Sequence, residues 1–170
     1  MFEVRTERPG DEAAVFTVQN AAFGQTDEAR LVDAMRGSVE PAVSLVATRG
    51  DAIVGHVFVS PVTLDTEPGA TDLGGLAPLG VVPDLQGRGA GGELVRAALE
   101  ASQGVGFRAV FLLGSPVYYG RFGFEPAAPL GFHYQSEAFD EHFQQLELEP
   151  GALSGRAGFV RYCAAFGGGG

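Results

Sequence analysis

A glycine-rich segment in the middle of the chain has residue types suited to binding a phosphate group. Residues 86–92 read QGRGAGG, after an apolar run typical of a strand and before an apolar stripe with helical spacing. The first N–H groups of a helix have no partner within the helix, and the helix dipole favours negative charge there. Glycines let the backbone come close to a phosphate, and Arg88 adds a positive charge. The segment therefore predicts a phosphate or pyrophosphate site at the start of a helix.

Two common nucleotide-binding motifs fit this segment poorly. The P-loop needs a lysine, and all 11 basic residues of the chain are arginine. Gly87, Gly89 and Gly92 satisfy the G-x-G-x-x-G fingerprint of NAD-binding proteins, which requires an acidic residue about 20 positions later. Leu112 and Leu113 stand there instead. A third interpretation, a glycine turn that only packs a helix against a sheet, stays open at this point.

The spacing of Gln86, Gly89 and Gly91 after a strand resembles Q-x-x-G-x-G, the acetyl-CoA motif of the GNAT superfamily of N-acetyltransferases. In that family the strand before the turn pairs with the pantetheine arm, and the turn holds the pyrophosphate. The resemblance implies acetyl-CoA as co-substrate and no metal. The cofactor-binding residues that it implies are Leu79, Gly80, Val81, Gln86, Gly87, Arg88, Gly89, Ala90, Gly91 and Gly92.

A second motif follows in residues 113–124, which read LGSPVYYGRFGF. The family's pattern of tyrosine, three residues and Gly-Phe falls on Tyr119, Gly123 and Phe124. The longer string is similar to a bacterial stand-alone subgroup that usually has aspartate where this chain has Ser115. That departure argues against a carboxylate role at position 115. The resemblance extends over about residues 53–166.

The second motif implies that Tyr119 is a general acid. A phenol with a pKa near 10 is protonated at neutral pH, and it can deliver a proton to a departing thiolate whose conjugate acid has a pKa of about 8.5. The alternative is that Tyr119 is one more aromatic residue in a packed cluster. For its neighbours, we expect Tyr118 to be a packing residue and Arg121 to be a solvated or structural charge.

No general base is assigned. Many members of the family use a glutamate on the strand before the turn, and the matching position here is Gly75. Asp72 lies close by, and His56 stands in an apolar strand, where a lone histidine is most often a half-buried residue with satisfied hydrogen bonds. Residues 122–155 contain six acids and no arginine. They form either a solvated acidic face or a negative rim that attracts a cationic amine.

Composition narrows the class of protein. A formal charge of −10 argues against nucleic-acid binding, which requires a basic surface. The absence of lysine excludes Schiff-base and pyridoxal enzymes. The lone Cys163 cannot form an internal disulfide, and three scattered histidines give no metal signature. The first residues resemble neither a signal peptide nor a membrane anchor, so we expect a cytoplasmic protein without a membrane partner.

The elements that must position these motifs alternate only in part between strands and helices. We predict a single domain over residues 1–166, with a flexible glycine tail at 167–170. The fold class is α/β (α+β-like), the GNAT acyl-CoA N-acyltransferase fold, with a mixed, twisted sheet of about seven strands flanked by helices. Asp11 and Thr26 are the expected caps of the first two helices. Strands are predicted at 2–6, 43–47, 53–59, 73–82, 109–113, 143–148 and 159–166, and helices at 12–22, from 27 and from the glycine turn to 102.

These observations predict an N-acetyltransferase that moves an acetyl group from acetyl-CoA to a primary amine by direct attack, with Tyr119 as acid. The acceptor is a small-molecule or peptide amine, and the protein is a monomer or a homodimer. One alternative is a catalytically silent acyl-CoA-binding or sensing module that keeps the turn. An NAD-dependent enzyme is the third possibility, supported only by the glycine fingerprint.

Overall fold

The structure is a computed structural model that describes residues 1–167, so residues 168–170 of the predicted glycine tail lie outside the described part. The described strands are β1 (Glu3–Thr6), β2 (Val43–Arg49), β3 (Ala52–Leu64), β4 (Leu73–Val81), β5 (Ala109–Leu113), β6 (Glu125–Pro126), β7 (Phe132–His133), β8 (Phe143–Glu147) and β9 (Gly158–Arg161). The helices are α1 (Glu12–Phe23), α2 (Asp27–Met35), α3 (Ala90–Gly104) and α4 (Pro116–Gly120).

The sheet has the order β1-β2-β3-β4-β5-β8-β6, with the short strands β7 and β9 joined beside this path. All neighbours on the path are antiparallel except β4 and β5, which run parallel. The parallel pair is possible because α3 forms the crossover between the two strands. The predicted mixed sheet of about seven strands flanked by helices is confirmed.

The strands β4 and β5 separate after a short paired stretch, and this separation creates the main gap in the sheet. They pair only where Leu73–Gly75 lies beside Ala109–Phe111, whereas β4 stays paired with β3 as far as Val81. From Leu76 to Val81, the other edge of β4 has no strand partner among the described residues. Its backbone N–H and C=O groups are therefore available to a ligand.

Helices cover both faces of the sheet. On one face, α3 packs its buried residues, including Leu94, Val95 and Ala98, on a core that also contains Phe107 and Leu112. On the other face, α1 and α2 pack near one end of the sheet, and the segment 127–166 covers the rest with a second, aromatic-rich core. The apolar stripe predicted for α3 is correct, although Val95 extends it.

The predicted caps of the first two helices, Asp11 and Thr26, are correct in position, but neither side chain makes a capping hydrogen bond. The Asp11 carboxylate instead accepts hydrogen bonds from Arg5 and from the backbone N–H of Arg8. The ion pair with Arg5, only six residues earlier, therefore ties the start of the first helix to β1 and competes with capping.

The last predicted strand is shorter than expected. It was predicted over 159–166, whereas β9 ends at Arg161 and a turn of 3₁₀ helix follows at Ala164–Phe166. Within residues 1–167, no helix is both long and apolar enough to span a membrane.

Candidate active site

A cleft with a volume of about 480 Å³ lies beside the glycine turn. It joins the free edge of β4, the start of α3 and the short helix α4. The residues that line it are Leu79, Val81, Gln86, Gly87, Gly89, Gly91, Gly92, Arg96, Tyr118, Arg121 and Phe122. Seven of the ten residues predicted to bind the cofactor therefore face one cleft.

The turn owes its shape to one side-chain hydrogen bond and two glycines. Gln86 Nε2 donates a hydrogen bond of 2.9 Å to the carbonyl oxygen of Val81, the last residue of β4, and so closes the turn on itself. Gly87 and Gly89 have φ of +76° and +100°, a region that other residues rarely adopt. The glutamine of the sequence motif therefore holds the turn, and the two glycines let it fold.

The start of α3 presents free donors to the cleft. The first hydrogen bond inside the helix runs from Glu93 N to Gly89 O, so the N–H groups of residues 90–92 precede it. The Tyr118 hydroxyl lies over Gly91, only 2.7 Å from where a Cβ would stand. Helix dipole and free N–H groups together favour an anion at this point.

Three of the predicted cofactor-binding residues do not line the cleft. Ala90 is buried on the inner side of α3. A Cβ on Gly80 would stand 2.6 Å from Gln19 Oε1, so this glycine makes room for α1. The Arg88 side chain borders a neighbouring depression together with Phe2 and Glu93. The positive charge in the cleft therefore comes from Arg96 and Arg121 and not from Arg88.

Helix α4 is fixed by hydrogen bonds at its start. Ser115 Oγ accepts a hydrogen bond from Tyr118 N, and Ser115 O accepts one from Tyr119 N. The preceding residue is also held, because Gln144 Nε2 donates to the carbonyl oxygen of Gly114. Serine and aspartate are both good helix caps. Capping therefore accounts for either residue at position 115 without a chemical role.

We expect Ser115→Ala to loosen α4 and Ser115→Asp to keep it. The alanine variant removes the acceptor for Tyr118 N–H, which costs about 1 kcal/mol and raises amide exchange there about fivefold. The aspartate variant retains an oxygen at the same point. Hydrogen exchange at the amides of α4, measured for both variants, checks this. Equal loosening in the two variants would contradict the capping role.

Tyr119 lies beside the gap between β4 and β5. Its ring rests on the backbone of Gly114, where a Cβ would come within 2.5 Å of Cε2, and it packs edge to face on Phe124. It also contacts the core that contains Leu76 and Leu112, the first residues beyond the paired stretch. Tyr119 does not line the cleft itself. Burial raises the pKa of Tyr119 to about 12, so the phenol keeps its proton at every ordinary pH.

His56 is a buried structural residue. It is fully buried, deeper than the half-buried position expected from sequence. Gln19 Nε2 lies 2.8 Å from Nδ1, and Ser44 Oγ lies 2.8 Å from Nε2. Since the amide nitrogen of Gln19 can only donate, Nδ1 accepts and Nε2 carries the proton. Burial, with a smaller contribution from Arg36, lowers the pKa of His56 to about 3. The His56 ring is therefore too weak a base to accept a proton from a substrate.

Asp72 and Gly75 supply no base either. Asp72 accepts hydrogen bonds from Arg156 and Arg108, and the Arg156 bonds are the main reason why its pKa lies below the usual value. A Cβ at Gly75 would stand 2.5 Å from Cε2 of Tyr162. The aromatic ring of Tyr162 therefore fills the space that a longer side chain at position 75 would need.

Half of the six acids between 122 and 155 have structural partners. Asp140 accepts from His133, and Glu149 pairs with Arg108. Glu147 accepts from the N–H groups of Gly151 and Leu153, which fixes a turn. These contacts favour a structural role for much of the acidic segment, whereas the sequence left a solvated face and a negative rim as alternatives.

Four residues that line the cleft were not among the predicted site residues, namely Arg96, Tyr118, Arg121 and Phe122. The guanidinium of Arg96, on α3, lies over the ring of Phe122. Arg121 lies over the ring of Tyr118 in the same way. The spacing of Tyr118 and Phe122, four residues apart around α4, is the one sequence signal that places both rings on one side.

Comparison with known proteins identifies a family for this arrangement. Residues 3–127 match the sequence profile of a family described as the acetyltransferase (GNAT) domain. The uncharacterized N-acetyltransferase YjhQ of Escherichia coli K12 is 36% identical over 153 residues, which cover 85% of this chain and 84% of the relative. The uncharacterized N-acetyltransferase YhbS of the same strain is 34% identical over 162 residues, which cover 94% and 95%.

Two solved structures resemble the whole chain. The crystal structure of YhbS from Escherichia coli in complex with CoA superposes with a TM-score of 0.89 at 32% identity, covering 99% of this chain and 93% of that one. A GNAT family acetyltransferase from Brucella melitensis in complex with acetyl-CoA gives a TM-score of 0.80 at 34% identity, covering 98% and 99%.

Proposed function

Because this chain belongs to the GNAT family of acetyltransferases, we propose that it transfers an acetyl group from acetyl-CoA to a primary amine by direct attack. The observation that carries the proposal is the combination of a free β4 edge and a glycine turn around one cleft. Two relatives that share the fold at more than 30% identity were crystallised with CoA and with acetyl-CoA.

The residues of the cleft fit the parts of acetyl-CoA. The unpaired backbone edge from Leu76 to Val81 suits the amide-containing pantetheine arm, which can pair with it as a strand would. Space is open at the turn, since a Cβ on Gly87 or Gly89 would meet no atom within 4 Å. The N–H groups of residues 90–92 suit the pyrophosphate. Acetyl-CoA supplies an activated thioester carbonyl, which an amine can attack directly.

Tyr119 is proposed as the acid that assists the departing sulfur. Its position on Gly114, beside the gap between β4 and β5, supports this role. With a pKa of about 12 the phenol is a weaker acid than the departing thiol, whose pKa is about 8.5. Proton transfer from Tyr119 to the sulfur is therefore unfavourable at equilibrium even when the thiolate is fully formed. The hydroxyl assists departure mainly as a hydrogen-bond donor that stabilises the negative charge on the sulfur.

The acceptor is proposed to be a small-molecule or peptide amine. Attack requires a neutral amine, and Gly75 supplies no side chain to remove a proton. Acceptors whose amine is already partly deprotonated at the working pH are therefore favoured as substrates. Proton loss from the attacking nitrogen and proton gain by the sulfur balance the reaction, which gives an amide and free CoA.

Thermal unfolding with acetyl-CoA, CoA and NADH in parallel tests the proposal. Each CoA ligand, at about 100 times its dissociation constant, is expected to stabilise the protein by about 2.7 kcal/mol. NADH is expected to give no shift, because no acid stands where the dinucleotide fingerprint requires one. The release of free thiol from acetyl-CoA is then measured with a panel of amines of different pKa.

The outcomes are distinct. Stabilisation by both CoA ligands together with thiol release supports an acetyltransferase. Stabilisation without turnover on any amine favours a silent acyl-CoA-binding module and contradicts the catalytic proposal. A shift with NADH alone would contradict the cofactor.

A further inference from the structure

Two arginines and two aromatic rings form a continuous row along the border of the cleft. The Cζ of Arg96 lies 5.1 Å from the ring centroid of Phe122, and that of Arg121 lies 4.9 Å from the ring centroid of Tyr118. The Tyr118 and Phe122 rings meet edge to face, with centroids 5.5 Å apart. We call this arrangement the arginine–aromatic row, in the order Arg121, Tyr118, Phe122, Arg96.

The row holds both guanidinium groups while leaving their N–H donors available. Contact with an aromatic face restrains a guanidinium through cation–π attraction and uses none of its donors. In the described part of the chain neither Arg96 nor Arg121 forms an ion pair. Four other arginines there do bind carboxylates, namely Arg5, Arg36, Arg108 and Arg156.

The charge balance of the protein makes the position of these two arginines informative. The chain carries a formal charge of −10, so a polyanion such as CoA is repelled by the molecule as a whole. Two restrained guanidinium groups on one side of a cleft supply local positive charge for such an anion. Planar guanidinium groups also match the oxygens of a phosphate better than any other side chain.

The two arginines lie at different distances from the glycine turn. Arg96 Nη1 stands 3.3 Å from where a Cβ on Gly92 would be, so its charge lies against the first turn of α3. Arg121 covers the ring of Tyr118, and it is the hydroxyl of that tyrosine that meets Gly91. The Tyr118 side chain therefore separates Arg121 from the turn. The cleft thus presents two anion-binding positions, one at the turn and one beyond it.

Building on the proposed use of acetyl-CoA, we propose that Arg121 binds the 3′-phosphate on the ribose of CoA, while Arg96 reinforces the pyrophosphate site. CoA has two separate phosphate groups, a pyrophosphate in the chain and a phosphomonoester on the ribose. The phosphomonoester carries nearly two negative charges at pH 7, which is the better match for an arginine without a carboxylate partner. Arg121 is then a specificity residue that distinguishes CoA from dephospho-CoA.

Calorimetric titration of CoA and of dephospho-CoA tests this in the wild-type protein and in two variants. Wild-type protein is expected to bind CoA about tenfold more tightly than dephospho-CoA, as for a hydrogen-bonded charge pair. Arg121→Gln is expected to bring the ratio of the two affinities close to one, because it weakens the binding of CoA and not that of dephospho-CoA. Arg96→Gln is expected to weaken both ligands about equally, because both retain the pyrophosphate.

A matched control removes a charge elsewhere. Arg161→Gln makes the same change at an exposed position of β9, which pairs with Thr63 at the end of β3 opposite the one beside Val81, and it is expected to leave both affinities unchanged. Arg121→Lys keeps the charge without the planar fork and is expected to retain part of the ratio. Higher salt is expected to reduce the wild-type ratio, since Arg121 is exposed to solvent.

A wild-type ratio near one overturns the inference, and so does an Arg121→Gln variant that keeps the full preference for CoA. A ratio that is lost in Arg96→Gln and kept in Arg121→Gln would overturn the assignment of the two sites. None of these results touches the proposed transferase activity, which thiol release measures independently. The thermal unfolding of every variant without ligand confirms that it is folded.

Discussion

Replacing Tyr119 by phenylalanine is expected to lower kcat for acetyl transfer by about 10²–10⁴-fold, the usual contribution of a general acid. Binding of acetyl-CoA is expected to remain, because the cleft proposed to hold it is lined by other residues. The phenylalanine ring preserves the contacts with Gly114 and Phe124, so stability is expected to change little. Initial rates of thiol release and thermal shifts with CoA measure the two effects separately.

The pH dependence gives a second check on the same residue. Burial raises the pKa of Tyr119 to about 12, so its protonated form is fully present below that pH and is lost only above it. The wild-type rate is therefore expected to rise with the fraction of neutral amine and to show no fall up to pH 10. A descending limb with a midpoint near 10 in the wild-type profile would show that Tyr119 titrates as an ordinary phenol.

A control for Tyr119 removes a different phenol. Tyr134→Phe deletes a hydroxyl that accepts a hydrogen bond from Gln135, away from the glycine turn. We expect its kcat to stay within about twofold of the wild-type value, as for other substitutions away from the site. If Tyr119→Phe also stays in that range, Tyr119 is only a packing residue.

Gly89→Ala is expected to weaken CoA binding by about 5–150-fold, which corresponds to about 1–3 kcal/mol. At φ of +100° an alanine either keeps the turn under strain or relaxes it. Relaxation moves the N–H groups of residues 90–92 away from the proposed pyrophosphate position, and retention places a methyl group in open space beside it. In both cases the thermal stabilisation by CoA decreases.

The matched control lies at the other end of the same helix. Gly104 ends α3 without a positive φ, and a Cβ there would meet no atom within 4 Å. Gly104→Ala is expected to leave CoA binding unchanged and to keep or slightly increase stability. If Gly89→Ala binds CoA as tightly as Gly104→Ala does, the turn does not hold the cofactor.

Local patterns were sufficient for most of the secondary structure. The apolar run before the glycine turn predicted β4, and the apolar stripe after the turn predicted α3. Helix ends were less predictable, because the Asp11 side chain binds Arg5 on β1 instead of capping α1. A cap depends on one hydrogen bond, and Arg5, six residues earlier on the preceding strand, competes for the same carboxylate.

The sequence by itself determined the backbone of the candidate site. The conformation of a turn depends mainly on the residues within it. Gln86, Gly87 and Gly89 therefore specify a turn with free N–H groups without contributions from distant segments. Local patterns did not identify the arginines whose charges lie at the cleft. Arg88, inside the motif, turns to a neighbouring depression, while Arg96 and Arg121 border the cleft.

Only the tertiary structure decided which side chains meet. Arg121 comes to the border of the cleft because the parallel pairing of β4 and β5 brings α4 beside the start of α3. In the same way, Tyr162 reaches the space at Gly75 from a segment about 90 residues away in sequence. Contacts of this kind depend on sheet register and on packing between distant segments, which no local pattern of residues encodes.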